Sequence, residues 1–140
     1  MPNNDYTLGA LGLFATLNSE ELEQVQALIQ RQNVVESEVL VQKGAPAVTL
    51  FINLSGNFMI SFDEDRAITL HQKGDLMGWS AVFTPFRYKG TIVALTDGQI
   101  LTLPSEEFLR LILSNAALGD KVMKKINQVA AERMSFVKES

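Results

Sequence analysis

The sequence predicts a mainly β domain with flanking helices. The expected form is a double-stranded β-helix, or jelly roll, with an N-terminal helix before it and a long C-terminal helix after it. Three observations carry this expectation. Between Val34 and Pro104, short β-prone runs alternate with turn residues, the pattern of a sandwich or barrel. The flanking stretches instead carry apolar residues at helical spacing. The 140 residues suit one domain spanning 1–140. Its β-roll is expected over about 33–104 and its C-terminal helices over about 105–137.

The elements follow in order. Leu8, Leu11, Leu13, Phe14 and Leu17 form an apolar lead-in. In Asn18-Ser-Glu-Glu21 the asparagine can cap a helix and Glu21 can reach back to it, a capping box. Leu22, Val25, Leu28 and Ile29 then share one face of a helix expected to end near Arg31. Strands are expected at Val39–Val41, Thr49–Leu54, Phe58–Phe62, Ala67–Leu70, Thr91–Leu95 and Gln99–Leu103. Turn signals separate them at Lys43-Gly44, Ser55-Gly56, Asp63-Glu-Asp65, Lys73-Gly-Asp75 and Asp97-Gly98. Phe58, Ile60 and Phe62 alternate onto one strand face. Pro104-Ser-Glu-Glu107 opens a second helix with Ser105 as its expected cap and Phe108, Leu111 and Ile112 inward. After Asn115 a longer helix runs to about Val137. Its stripe of Leu118, Val122, Met123, Ile126, Val129, Ala130, Met134 and Val137 is wide for one neighbour. This predicts a homodimer through the terminal helix, with Val122, Ile126 and Val129 spaced as a helix-pair seam.

Composition removes several function classes. There is no cysteine, so disulfides, thiol catalysis and zinc–thiolate sites are excluded. A single histidine, His71, cannot build a multi-histidine metal centre, which argues against a metal-dependent cupin. His71 lacks carboxylate partners in the sequence and reads as a plain surface or partly buried residue. The acidic pairs Glu20-Glu21 and Glu106-Glu107 suit the first turns of helices, and Asp63-Glu-Asp65 suits a hairpin tip. None forms a catalytic dyad, and no nucleophile–base pair is visible, so no enzymatic activity is expected. The net charge of −4 is a poor match to nucleic acid, and Lys121, Lys124 and Lys125 read as a solvated face. No apolar run is long enough to span a membrane, and the amino terminus lacks a basic signal-peptide start. The expectation is a cytoplasmic protein.

Several motifs, in order, resemble the cyclic-nucleotide-binding domain of catabolite-activator-type regulators. Leu13-Phe-Ala-Thr-Leu-Asn-Ser-Glu-Glu-Leu22 is similar to that family's opening helix. Val39-Leu-Val-Gln-Lys-Gly44 and Leu50-Phe-Ile-Asn-Leu-Ser-Gly56 are similar to its strands and turns. Lys73-Gly-Asp-Leu-Met-Gly78 resembles the approach to its phosphate-binding cassette, and Thr91-Ile-Val-Ala-Leu95 the strand after it. The resemblance covers about residues 8–137. It implies a regulatory domain that holds a ligand between the cassette and the terminal helix. It also implies a DNA-binding unit after that helix, for which the chain to Ser140 leaves no room, so direct DNA binding is not expected.

The cassette departs from the family pattern. Where ligand-binding members place a glutamate for the ribose hydroxyl, this chain has Trp79. Where they place an arginine for the cyclic phosphate, it has Tyr88, with Arg87 one residue early and Lys89 one late. An anion at a short helix needs N–H donors and a cation. Gly78, Ser80 and Ala81 can supply the donors, and Arg87 or Lys89 the cation. Trp79 either stacks on a flat ligand or fills the pocket. Thr91, heading the next strand, completes the candidate set, and about Arg133-Met-Ser135 is where the family's terminal helix meets the purine. The expected function is a stand-alone sensor with no bound cofactor. Its ligand would be a cyclic nucleotide or another small anionic nucleotide, held with altered or lost affinity and signalled to a protein partner through the terminal helix. The alternative is an interaction or dimerisation module whose pocket is plugged by Trp79 and Tyr88.

Overall fold

A computed structural model describes residues 6–63 and 65–137, the side chains of 134–137 excepted. Two short 3₁₀ turns, Leu8–Ala10 and Gly12–Phe14, lead into α1 (Ser19–Gln26). The strands are β1 (Gln30–Val34), β2 (Val39–Val41), β3 (Thr49–Ser55), β4 (Phe58–Ser61), β5 (Ala67–Leu70), β6 (Leu76–Met77), β7 (Thr91–Ala94) and β8 (Gly98–Pro104). Then come α2 (Ser105–Ser114) and α3 (Ala116–Val137). The strands form two antiparallel four-stranded sheets, ordered β1-β8-β3-β6 and β2-β7-β4-β5. This is the jelly roll that the sequence predicts.

Alternation makes the core. Phe58 and Ile60 of β4 are buried opposite Ala94 and Ile92 of β7. In β3, Leu50 and Ile52 face Leu103 and Leu101 of β8. Residues 50–54 are all buried, and β3 is flanked by β8 on one side and β6 on the other, with the Trp79–Val82 turn packed against it. Each large apolar side chain so removed from water contributes about 1.5–3 kcal/mol.

The structure corrects three local expectations. First, α1 stops at Gln26 rather than near Arg31, and Leu28 and Ile29 lie in the connection to β1. Strand β1 has four exposed residues of its five, so Gln30-Arg-Gln-Asn carries no apolar signal. It forms because β8 offers it an antiparallel edge. Second, Ser105 does not cap α2. The N-cap is Pro104, and the Ser105 N–H donates to the Val48 carbonyl at 2.9 Å, so the strand runs straight into the helix. Third, the expected dimer seam lies inside the protomer: Val122 and Ile126 are fully buried, with Leu118, against this chain's own body. Val129 is half-buried, and Met134 and Val137 have side chains outside the described residues. Within the described residues, Leu118, Val122 and Ile126 of that stripe are buried where α3 meets the Gly12–Phe14 turn and α2.

The capping box forms as the sequence predicts. The Glu21 N–H donates to Asn18 Oδ1, and the Asn18 N–H to Glu21 Oε1, both at 2.9 Å. The same Glu21 oxygen takes the Lys121 ammonium at 2.8 Å, tying α1 to α3. The Lys121 contact, with the Asn18 N–H, holds the Glu21 carboxyl below its usual range.

Candidate functional site

The cassette starts where β6 ends. Gly78 turns the chain in the left-handed region, φ 76°. A Cβ there would sit 3.0 Å from the Thr49 carbonyl oxygen and 3.3 Å from Tyr88 Cε1, so glycine meets both the conformation and the close approach. The 3₁₀ turn Trp79–Val82 follows, and its four residues are buried. The Trp79 ring meets the Phe83 ring edge-on at 5.8 Å and 75°, a favourable aromatic geometry.

Residues 85–90 then fold back over the segment 44–47. The Tyr88 N–H donates to the Ala45 carbonyl at 3.0 Å, and the Gly44 N–H to the Tyr88 carbonyl at 2.9 Å. Extended backbone sends neighbouring side chains to opposite sides. Arg87 therefore points outward and donates to the Gly44 carbonyl at 2.9 Å. Tyr88 points inward and is 5% exposed. Its hydroxyl donates to the Thr49 carbonyl at 2.8 Å and accepts the Thr49 N–H at 3.1 Å. Burial pushes the phenol upward from its ordinary value, and its bonds with the Val48 and Thr49 backbone oppose the push.

These contacts leave little space. The cavity at the cassette measures about 20 Å³, bounded by Ile60, Phe62, Gly78, Trp79, Ser80, Tyr88, Lys89, Gly90 and Ile92. One water molecule occupies at least about 10–15 Å³ by the same measure. Ligand pockets run to about 300–1,000 Å³. Gly90 shows how close the walls are: a Cβ there would lie 2.8 Å from Ile60 Cγ2 and 3.0 Å from the Ser61 carbonyl.

Of the predicted site residues, Gly78, Trp79, Ser80, Tyr88 and Lys89 meet around this cavity. Ala81 is buried beside them but does not line it, Arg87 faces solvent, and the Thr91 hydroxyl accepts the Lys43 N–H at 3.0 Å. On α3, Arg133 is buried and donates to the Leu76 carbonyl. Burial draws its guanidinium below the usual range, against the pull of the Asp75 and Glu132 carboxylates. The Ser135 side chain lies outside the described residues. His71 is exposed. No helix among the described residues is long and apolar enough to cross a membrane.

Known proteins share this architecture. A protein of Geobacter metallireducens described as a cyclic nucleotide-binding protein superposes with a TM-score of 0.82 at 18% identity, over 91% of this chain and 95% of that one. The regulatory subunit of a cAMP-independent protein kinase A from Trypanosoma brucei superposes with a TM-score of 0.74 at 16% identity, over 89% and 44%. An uncharacterized NTE family protein of Mycobacterium tuberculosis is 23% identical over 112 residues, 80% of this chain but 19% of that protein. The chain thus spans about a fifth of the length of that relative. The family model for the cyclic nucleotide-binding domain matches residues 31–115, from β1 to the end of α2. The chain belongs to the cyclic nucleotide-binding domain family.

Proposed function

We propose that this regulatory domain does not hold a cyclic nucleotide in its cassette and passes its signal through α3. The observation that carries the reading is the 20 Å³ cavity walled by Trp79 and Tyr88. A nucleotide would have to displace both, and Tyr88 would give up two bonds to Thr49. Arg87 faces solvent, and Lys89 is the one candidate cation that lines the cavity, whose volume is too small to admit a phosphate beside it. The kinase regulatory subunit described as cAMP-independent is a precedent for the same fold working without that nucleotide.

The output is carried by α3, because that helix touches the rest of the domain at both ends. Lys121 pairs with α1 and Arg133 with β6. A change in either contact moves the helix that a partner reads. The net charge of −4 favours a protein partner over DNA, in the cytoplasm. Self-association belongs to the outward face of α3, beside Met123 and Asn127, since Val122 and Ile126 are spent inside the protomer. The test is a thermal-shift panel with cyclic AMP, cyclic GMP and cyclic di-GMP at millimolar concentration. The reading expects no shift. A saturable rise of several degrees with any of them overturns it.

A further inference from the structure

A second recess lies where Leu76 of β6 meets α3 and the N-terminal turns. Its cavity is about 280 Å³, more than ten times the cassette cavity, and the two share no lining residue. Its walls come from three separate parts of the chain: the Gly12–Leu13 turn, the Gly74–Leu76 segment and the α3 face of Lys125, Val129, Glu132 and Arg133. The Gly74 turn is seated by its N–H bond to the Asn53 carbonyl at 2.7 Å, and it lies against Leu11 and Gly12.

Arg133 makes this a built site rather than a surface dent. It is 8% exposed, an uncommon place for a guanidinium. One of its end nitrogens donates to the Leu76 carbonyl. A guanidinium has five donors in a planar fork, so further donors stay available toward the recess that Arg133 lines. Lys125 adds a second cation, Asp75 and Glu132 add two carboxylates, and Leu13, Leu76 and Val129 add apolar wall. The Asp75 carboxylate already accepts the Gln72 N–H at 2.9 Å, which fixes its place.

A polyanion such as a nucleotide suits this lining poorly, because two positive groups are balanced by two negative ones. The complement is a molecule that carries both signs on an apolar body. We propose that this recess binds a small zwitterion of the α-amino-acid class with an apolar side chain. Its carboxylate is held by Arg133 and Lys125, its ammonium by Glu132 and Asp75, and its side chain lies against Leu13, Leu76 and Val129. Because the recess joins α3 to the N-terminal turns and to β6, occupancy stabilises the packing of α3 on the body. This site is independent of whether the cassette is closed.

The experiment is a thermal-shift and calorimetric panel of the free amino acids on the full chain, with acetate, ammonium and phosphate as single-charge controls. An apolar amino acid at a hundredfold excess over its dissociation constant is expected to raise the melting temperature by about 5 °C or more. The single-charge controls are expected to do nothing. Glu132 is exposed, so E132Q should stay folded, with a single cooperative melting transition, and weaken binding at least tenfold. R133Q should abolish binding. The proposal fails if no amino acid binds, if acetate or phosphate binds as well as the zwitterion, or if E132Q leaves affinity unchanged in a folded protein. Cyclic nucleotides play no part in this readout, so its failure leaves the reading of the cassette intact.

Discussion

The Tyr88 hydroxyl closes both hydrogen-bonding groups of Thr49, donating to its carbonyl at 2.8 Å and accepting its N–H at 3.1 Å. Strand β6 pairs with β3 only at Phe51 and Ile52. Beyond β6, toward the cassette, Tyr88 satisfies the strand instead. One side chain thus fills the cassette and completes the sheet.

Replacing Tyr88 by phenylalanine removes both bonds and leaves the half-buried Thr49 backbone groups without that partner. The expected loss is about 1–3 kcal/mol of stability, read as a lower urea midpoint at unchanged slope. An unchanged midpoint would show that the phenol carries no structural weight.

The two glycines Gly78 and Gly44 both have positive φ, 76° and 87°, but different surroundings. A Cβ at Gly44 meets nothing within 4 Å, whereas at Gly78 it meets the Thr49 carbonyl at 3.0 Å. Gly44→Ala should cost only the left-handed backbone penalty, about 1–2 kcal/mol. Gly78→Ala should cost more, by chemical denaturation. Equal costs would contradict the tight packing of the cassette on β3.

The α1–α3 link predicts a pH dependence. The Glu21 carboxyl is held below its ordinary value of 4.5 by Lys121 and the Asn18 N–H. A depressed carboxylate contributes stability above its unfolded pKa, and that contribution is lost as pH falls through the folded value. The melting temperatures of wild type and Lys121→Ala should therefore differ at pH 7, and the gap should narrow as pH falls below the ordinary carboxyl value of 4.5. A gap that stays constant down to pH 3 would sink the assignment.

Ile126 and Met123 separate the two faces of α3. Ile126 is fully buried in its own protomer, so Ile126→Ala should cost about 2–5 kcal/mol whatever the oligomeric state. Met123 lines the outward groove with Asn127 and Ala131. Ala131→Asp, at the exposed side of that groove, should convert a dimer to monomer in light scattering while shifting the melting temperature little. A wild type that is monomeric at micromolar concentration removes the self-association part of the reading.

Strands with alternation were legible in the sequence, as Phe58, Ile60 and Phe62 show, and so was the Asn18–Glu21 capping box. Strand β1 was not, because Gln30-Arg-Gln-Asn is polar and pairs only through backbone to β8. Strand β6 leaves no signal, because two residues, Leu76 and Met77, are too few to show a period. At the cassette the sequence brings out Trp79 and Tyr88 as departures and leaves open whether Trp79 stacks on a ligand or fills the site. The side that Tyr88 takes depends on the pairing of 87–88 with 44–46, a contact between distant segments. The Arg133 recess escaped for the same reason. Its walls come from residues 12–13, 74–76 and 125–133, which no local pattern joins.

The central claim is that Trp79 and Tyr88 close the cassette to cyclic nucleotides. The sequence resemblance implies that ligand-binding members place a glutamate and an arginine where this chain has Trp79 and Tyr88. At about 1.5–3 kcal/mol each, their loss weakens binding on the order of a hundred- to ten-thousandfold. The direct measurement is titration calorimetry of the wild-type protein with cyclic AMP and cyclic GMP. The account predicts no heat of binding up to about millimolar nucleotide. A low-micromolar constant for either nucleotide, abolished by Arg87→Ala or Lys89→Ala, would contradict it.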